Sequence, residues 1–155
     1  MSEGVESVRE IKFRAWDKLG KRMMEAGVVI LDGYDHPYGA HIIDMDKCSH
    51  FMSDIELMQY VGFKDKHDWE IYEGDILTHE SYPFQDEGNY NYHAVVRWFD
   101  DSAQFGYEMW LANKDRRGIS HGICEGFESE NGRVEFEIIG NIYENPELLE
   151  AGDGP

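Results

Sequence analysis

Residues 57–77 constrain the fold more than any other part of this sequence, because they alternate extended segments with two short breaks. Tyr60 to Phe63 and Ile71 to Tyr72 carry β-branched and aromatic side chains that favour strands. The polar run Lys64 to Asp68 separates them, and Glu73-Gly74-Asp75 forms a second break before the next apolar run. A glycine between two such strands indicates a turn with positive φ. This stretch therefore predicts closely spaced β strands.

Strand patterns continue on both sides of this stretch. Glu10 to Trp16 alternates polar and apolar residues, and Met23 to Leu31 ends in a β-branched run. We expect these two segments to pair through a hairpin turn at Asp17 to Lys21. Further strands are predicted at Ile42–Ile43, Ile76 to Tyr82, Tyr92 to Phe99, Gln104 to Leu111 and Val134 to Tyr143, with loops at Asp32 to Gly39, Pro83 to Asn91 and Ala112 to Gly122.

Helical signals are short. Phe51, Met52, Ile55 and Met58 approach helical spacing, so whether residues 44–56 hold one helical turn stays open. A short helical turn is expected after Asn145-Pro146, because proline cannot donate a hydrogen bond to a strand ladder.

The chain is therefore predicted to be mainly β, as a small barrel or a sandwich with at most short helical turns. A boundary near residue 56 would separate two parts. The predicted organisation is a flexible leader at 1–8, an N-terminal β lobe at 9–56, a second β domain at 57–150 and a flexible tail at 151–155.

Composition indicates a folded protein with a strong negative charge. Aromatic residues make up 14% of the 155 residues, which is more than a disordered acidic chain carries. The formal net charge of −18 repels phosphate backbones, so direct binding to nucleic acid is disfavoured. No apolar run is long enough for a membrane span and no signal peptide is evident, so we expect a cytoplasmic protein with reduced thiols at Cys48 and Cys124.

Candidate metal and catalytic residues lack the spacing that such sites need. A histidine- and aspartate-rich segment invites a metal interpretation, but it contains neither HExxH nor paired CxxC, and we interpret its residues as solvent-exposed loop residues. No G-x-S-x-G elbow is present, and no Lys-Ser or Lys-Thr follows Gly118, Gly122 and Gly126. No catalytic, cofactor-binding or metal residue is therefore predicted, and the rejected metal set is Asp35, His36, His41, Asp44, Asp46 and His50.

Two surface features leave alternatives open. The aromatic residues of the loops and strands are compatible with a stacking platform for single strands, but without a basic groove we favour core and rim packing; these residues are Tyr34, Tyr38, Tyr90, Tyr92 and Trp110. Charge is also asymmetric, since Arg9 to Arg22 holds six basic and two acidic residues, whereas Glu125 to Pro155 holds nine acidic residues and only Arg133. These parts meet within one molecule, meet between copies in a homo-oligomer, or remain solvated.

Three blocks of the sequence match the pattern of a known family. The central block is Leu57 to Lys66 followed by Glu70 to Ile76, the opening block is Arg9 to Asp17, and the closing block is Ile139 to Leu149. In this order they resemble the YopX family of phage and prophage proteins, over nearly the whole chain.

The departures from the family pattern are local. His67-Asp68 stands where an Asn-Gly pair is usual, and Trp69 where a lysine is usual. The resemblance implies an SH3-like barrel, which we assign to residues 57–150. The family has no established activity and therefore lends no catalytic residues and no cofactor.

The resemblance and the missing catalytic motifs lead to one main hypothesis. We expect a phage- or prophage-type accessory protein that acts as a non-enzymatic protein–protein interaction module in the bacterial host cytoplasm, with an unknown protein partner. The alternative is an acidic DNA mimic that inhibits a host nucleic-acid-binding protein. In that case carboxylates would imitate phosphates, namely those of Glu125, Glu128, Glu130, Glu135 and Glu137. An enzyme ranks third.

Overall fold

The computed structural model describes residues 9–31, 39–81, 83–87, 89–112 and 124–149, and within them the chain is mainly β. The predicted leader and tail lie outside the described residues. Two single-turn 3-10 helices occupy Met52–Asp54 and Pro146–Leu149. The strands are β1 (Phe13–Asp17), β2 (Arg22–Ile30), β3 (His41–Asp44), β4 (Ser49–Phe51), β5 (Ile55–Lys64), β6 (Glu70–Tyr72), β7 (Asp75–Thr78), β8 (Gln85–Asp86), β9 (Asn89–Tyr90), β10 (Tyr92–Phe99), β11 (Gln104–Leu111), β12 (Cys124–Gly126) and β13 (Glu137–Asn141).

The first sheet has six strands in the order β4-β3-β2-β1-β5-β6, and its strand pairs are antiparallel. The predicted β1–β2 hairpin is confirmed, with Phe13 opposite Ala26 and Asp17 opposite Arg22. Asp17 closes its turn, because the Asp17 Oδ1 atom accepts the backbone N–H groups of Leu19 and Gly20 at 3.0 and 2.9 Å.

The second sheet has five strands in the order β12-β11-β10-β7-β13. Its longest ladder joins β10 and β11 from Tyr92–Leu111 to Phe99–Gln104. Strands β8 and β9 form a separate two-stranded sheet. The mainly β prediction is confirmed, and the SH3-like barrel stays a prediction, since β12 and β13 end the hydrogen-bonded order among the described residues.

The described residues contain two hydrophobic clusters. The smaller one contains Ala15, Met24, Ile42 and Ile55. The larger one is rich in aromatic residues and contains Val61, Ile71, Leu77, Phe84, Tyr92, Ala94, Val96, Tyr107, Met109, Leu111, Val134 and Phe136. The first half of β10 is buried on both faces, so Val95 is as inaccessible as Ala94, and Trp98 at its far end is exposed.

Strand β5 crosses the proposed boundary near residue 56. It pairs with β1 from Ile55 to Gln59 and with β6 through Tyr60 and Lys64. Its residues also enter both clusters, Ile55 the smaller and Val61 the larger. The two-part organisation remains a prediction, and β5 is the element that links the two parts.

Several predicted boundaries are corrected by side-chain hydrogen bonds. The strand expected at Val134 to Tyr143 is limited to Glu137–Asn141. It ends at Asn141 because Asn141 Oδ1 accepts the N–H groups of Tyr143 and Glu144 and turns the chain. The strand expected at Ile76 to Tyr82 ends at Thr78, where the His79 ring accepts the Ser81 N–H at 3.0 Å.

Other short elements fall outside the predicted pattern. Strands β8 and β9 lie inside the expected Pro83 to Asn91 loop, and β4 and β12 were not expected. The open question at residues 44–56 resolves to one 3-10 turn at Met52–Asp54, and the turn expected after Pro146 is confirmed. Across the described ranges no helix is both long enough and apolar enough to cross a membrane.

Gly74 confirms the predicted glycine turn, with φ of +82°. Its N–H donates to Val96 O and its carbonyl accepts from the Ile142 N–H, both at 2.9 Å. The nearest atom to an added Cβ would be Ile142 Cγ1 at 3.4 Å, an ordinary contact. The requirement for glycine therefore comes from the backbone and not from lack of space.

Gly74→Val should therefore destabilise the protein by at least about 1–2 kcal/mol, because a β-branched side chain is strained at positive φ. A folded population should remain, with a lower Tm in far-UV circular dichroism melts. Gly126→Val on β12 is the control, since the added Cβ there meets the flexible Gln104 side chain and the backbone is not left-handed. Coincident Tm values for Gly74→Val and the unmodified protein would contradict this account.

Candidate functional site

A cleft of about 400 Å³ lies where strands of the two sheets meet. We call it the Asp75 cleft. Its walls come from three separate stretches of sequence, so only the tertiary fold assembles it. The lining residues are Arg14, Trp69, Glu70, Asp75, Ile138, Gly140, Asn141, Glu144 and Asn145.

A buried ion pair forms the floor of the Asp75 cleft. Arg14 Nη2 of β1 lies 2.6 Å from Asp75 Oδ1 of β7, and the two side chains are 15% and 2% exposed. The other oxygen, Asp75 Oδ2, accepts the Tyr72 N–H at 2.8 Å. The Arg14 guanidinium also lies 4.8 Å from the centre of the Tyr72 ring. Burial raises the pKa of the Asp75 carboxyl, and the Arg14 charge opposes that rise.

The turn that carries Trp69 is held by a second buried aspartate. Asp65 Oδ1 accepts the N–H groups of His67 and Trp69, each at 2.9 Å, and Asp65 Oδ2 accepts the Ile138 N–H at 3.1 Å. Asp68 has φ of +73°, the conformation that the usual Asn-Gly pair would supply. Trp69 is thus fixed on a rigid turn while its side chain remains 69% exposed.

The third wall is the turn after β13. Asn145 Oδ1 accepts the Asn141 N–H at 3.3 Å, while the Asn141 side chain closes the following turn. A Cβ at Gly140 would lie 2.5 Å from Asn145 Oδ1, so this contact requires glycine. These bonds fix Glu144 at the rim, where it is exposed.

The charge of the Asp75 cleft is negative. The charge of Asp75 neutralises that of Arg14. Glu70 forms a 2.6 Å ion pair with Lys12 Nζ, and Lys12 does not line the cleft. Hydrogen bonds to the carboxylates of Glu70 and, with a smaller effect, of Glu10 raise the pKa of the Lys12 ammonium. Glu144 adds a further carboxylate to the rim. An exposed indole beside carboxylates suits a cationic side chain of a partner, and no hydroxyl, thiol or imidazole group belongs to the lining.

Three of the rejected metal residues lie on strands and not in loops, namely His41 and Asp44 on β3 and His50 on β4. Asp44 and His41 are buried on β3, at 5% and 1% exposure, so the interpretation as solvent-exposed loop residues is wrong for both. Asp44 Oδ1 accepts the N–H groups of Asp46 and Cys48, and Asp44 Oδ2 lies 2.8 Å from His50 Nε2. Asp44 is buried because it caps the β3–β4 turn.

The remaining members of that set contribute no ligand cluster. Asp46 is exposed, and Asp35 and His36 lie outside the described residues. In the part of the chain that the structure describes, no three His, Cys, Asp or Glu side chains are arranged to hold a metal ion. Gly118 and Gly122 and the Cys124 side chain also fall outside what is described, whereas Cys48 is an exposed free thiol.

Three of the aromatic residues considered for a stacking platform are described, namely Tyr90, Tyr92 and Trp110. Tyr92 is 4% exposed in the larger cluster, and Tyr90 is 49% exposed and packs against His93 with ring centroids 5.7 Å apart. Trp110 lies on β11, and Tyr34 and Tyr38 lie outside the described residues. Core packing is confirmed for Tyr92.

Among the described residues, the ion pairs of the basic N-terminal part are formed with Glu10 and with carboxylates of the first sheet and of β7. Lys18 lies 3.4 Å from Glu56, and Arg22 lies 3.6 Å from Asp17 and 3.9 Å from Asp44. Lys12 and Arg14 pair with Glu70 and Asp75 as described above. These ion pairs therefore do not join the basic N-terminal part to the acidic C-terminal part.

Sequence reasoning did not single out the residues of the Asp75 cleft as a site. Two sequence features lie in it but were not interpreted as a site: Trp69 stands where the family pattern has a lysine, and Asp75 follows the turn glycine. Neither signal reveals that Arg14 approaches Asp75, because the two residues are 61 positions apart.

Removing Arg14 should be costly because it leaves the buried Asp75 carboxylate without its counter-ion. Arg14→Met is expected to lower the free energy of unfolding by about 3–5 kcal/mol, and adding Asp75→Asn should restore much of the loss. The control is Arg133→Met, whose pair with Asp68 is 54% and 60% exposed and should cost about 1 kcal/mol or less. Urea denaturation measures all three variants, and equal losses for Arg14→Met and Arg133→Met would show that burial does not strengthen the pair.

Glu73 predicts a pH dependence of stability. Burial raises the pKa of this carboxyl above its ordinary value of 4.5, although Glu73 Oε1 accepts the Gln59 N–H at 2.9 Å. The folded state therefore binds the Glu73 proton more tightly than the unfolded state does. The resulting contribution to stability is fully present below pH 4.5 and is lost as the pH rises through the raised pKa.

Glu73→Gln should accordingly raise the Tm relative to the unmodified protein, by an amount that grows from pH 4 to pH 7, since the amide cannot ionise. Melts at several pH values measure this difference. Glu25→Gln, an exposed residue of β2, controls for net charge. The same pH trend in both variants would remove the assignment to Glu73.

The fold has a solved structural relative. The crystal structure of protein EF1440 from Enterococcus faecalis is similar with a TM-score of 0.60 and 26% identity, covering 92% of this chain and 100% of that chain. Its name states no activity, so the likeness supports the fold and not a function. No curated protein matches this chain significantly. The sequence model described as YopX protein matches residues 12–150, and the chain therefore belongs to the YopX protein family.

Proposed function

We propose that this protein is a non-enzymatic protein–protein interaction module of phage or prophage type, and that the Asp75 cleft contacts a basic segment of its partner. The observation that carries the proposal is Trp69, a large aromatic side chain that is 69% exposed on a turn fixed by Asp65. Tryptophan is enriched among the residues that dominate protein–protein binding.

Rigidity of the turn supports this role. The backbone N–H of Trp69 is bound by Asp65, which is itself 1% exposed, so the main chain at Trp69 is held before any partner arrives. Binding then costs less ordering of the turn, and more of the contact energy remains as affinity.

Charge supports a basic partner. The formal net charge is −18, and the Asp75 cleft adds Glu70 and Glu144 next to the indole. A partner segment with lysine or arginine would be attracted over a distance and would find both a carboxylate and an aromatic ring. An enzyme fits less well, because Arg14 and Asp75 satisfy each other and the lining holds no nucleophile beside a base.

The DNA mimic remains the second candidate, on one specific observation. Glu128, Glu130 and Glu135 are all exposed in the segment between β12 and β13. Arg133 lies in the same segment and pairs with Asp68 at 3.0 Å, which interrupts the negative surface and makes mimicry the weaker proposal.

Capture from a nuclease-treated bacterial host lysate, followed by mass spectrometry, tests the proposal. The baits are the unmodified chain, Trp69→Ala and, as a control, Trp98→Ala, a 44% exposed tryptophan on β10. We expect one protein to be retained by the unmodified chain and by Trp98→Ala, and its affinity for Trp69→Ala to fall about tenfold or more.

Two other results would overturn the use of the Asp75 cleft. Equal retention by all three baits would place the contact elsewhere on the molecule. Retention of DNA-binding proteins that fails at high salt and in a Glu128→Gln, Glu130→Gln, Glu135→Gln variant would favour mimicry. Light scattering of each bait also tests the predicted homo-oligomer. A mass above that of one chain would support it, and the mass of a single chain would contradict it.

A further inference from the structure

A second, aromatic cavity of about 280 Å³ opens on the second sheet. It is separate from the Asp75 cleft and shares no lining residue with it. Its walls include His79, Phe84, Tyr107 and Phe136, and its rim carries Glu128 and Glu135. We call it the aromatic cavity.

The rings of the aromatic cavity lie in different planes. The Phe84 and Phe136 ring centroids are 5.2 Å apart and the rings are inclined by 84°. Tyr107 lies 4.9 Å from Phe136 at 57°, and His79 lies 5.0 Å from Phe136 at 74°. Phe84, Tyr107 and Phe136 are only 6–8% exposed, so these rings pack against one another and a group that enters the cavity meets their solvent-facing parts.

The two rim carboxylates are uncommitted. Glu128 and Glu135 are exposed, and neither side chain has an ion-pair or hydrogen-bond partner among the described residues. Lys66, a cation of the same sheet region, already contacts Glu80 and Glu137 at 3.1 and 3.4 Å. The aromatic cavity thus combines ring walls with unneutralised negative charge, and its lining includes no lysine or arginine.

We propose that the aromatic cavity binds an alkylammonium cation, such as a quaternary ammonium group or a methylated lysine side chain. The ring quadrupoles attract the cation at the walls, and Glu128 and Glu135 attract it at the rim. The volume is just below the roughly 300–1,000 Å³ of drug-sized pockets, which suits one small head group. Methyl groups on the nitrogen favour entry, because they spread the charge and fill apolar space better than a hydrated ammonium ion.

The test compares choline with 3,3-dimethylbutan-1-ol, which has the same shape and no charge. Each is titrated into the full chain by NMR at constant ionic strength. We expect saturable binding of choline, with its methyl protons shifted upfield by the ring currents, and affinity about tenfold or more above that of the alcohol. Equal affinity for the two probes, or the absence of saturation for choline, would overturn the proposal.

Variants separate the aromatic cavity from the general acidity of the surface. Glu128→Gln with Glu135→Gln should weaken choline binding several-fold and leave the alcohol unchanged. Glu130→Gln is the matched control, because this exposed carboxylate lies in the same segment but outside the lining. Equal effects of the two changes would mean that choline senses only net charge, and the proposal would fail.

This inference stands apart from the proposed function. Trp69→Ala should leave choline binding unchanged, because Trp69 does not line the aromatic cavity. Capture of a partner and binding of choline can therefore succeed or fail independently.

Discussion

The buried ion pair between Arg14 and Asp75 joins the two sheets, and the packing of the sheets must keep these two charges together. Arg14 belongs to β1 of the first sheet and Asp75 to β7 of the second, and their 2.6 Å contact is almost removed from solvent. Burying both charges carries a desolvation penalty, which the pair offsets only while both partners are present. Separating Arg14 from Asp75 would leave an unpaired buried charge, so the pair opposes any packing of the sheets that keeps these residues apart.

Some of the carboxylates of this protein bind its own backbone. Asp17, Asp44 and Asp65 each accept two backbone N–H groups at a turn. The hydrogen bond from the Gly20 N–H lowers the pKa of the Asp17 carboxyl. The hydrogen bond with the His50 imidazole lowers the pKa of the Asp44 carboxyl. A mainly β chain with short connections needs many such turns, so part of the charge of −18 is structural.

Exposed carboxylates lie at both proposed binding surfaces. Glu144 lines the Asp75 cleft beside Trp69, and Glu128 and Glu135 border the aromatic cavity. Both surfaces combine an aromatic group with negative charge, which is the chemistry that recognises cations. They differ in depth: the indole of Trp69 stands out from the surface, whereas the rings of the aromatic cavity belong to the larger hydrophobic cluster.

The sequence by itself determined the elements whose signals are local. Alternation and turn residues predicted the β1–β2 hairpin, β10 and β11, and the positive φ of Gly74, because each depends on neighbours a few residues apart. The family membership also followed from contiguous blocks. Only the tertiary structure decided that Arg14 meets Asp75, that Asp44 and His41 are buried, and that Phe84, Tyr107 and Phe136 surround one cavity. These contacts join residues far apart in the chain, and strand pairing across such distances leaves no periodic trace in the sequence.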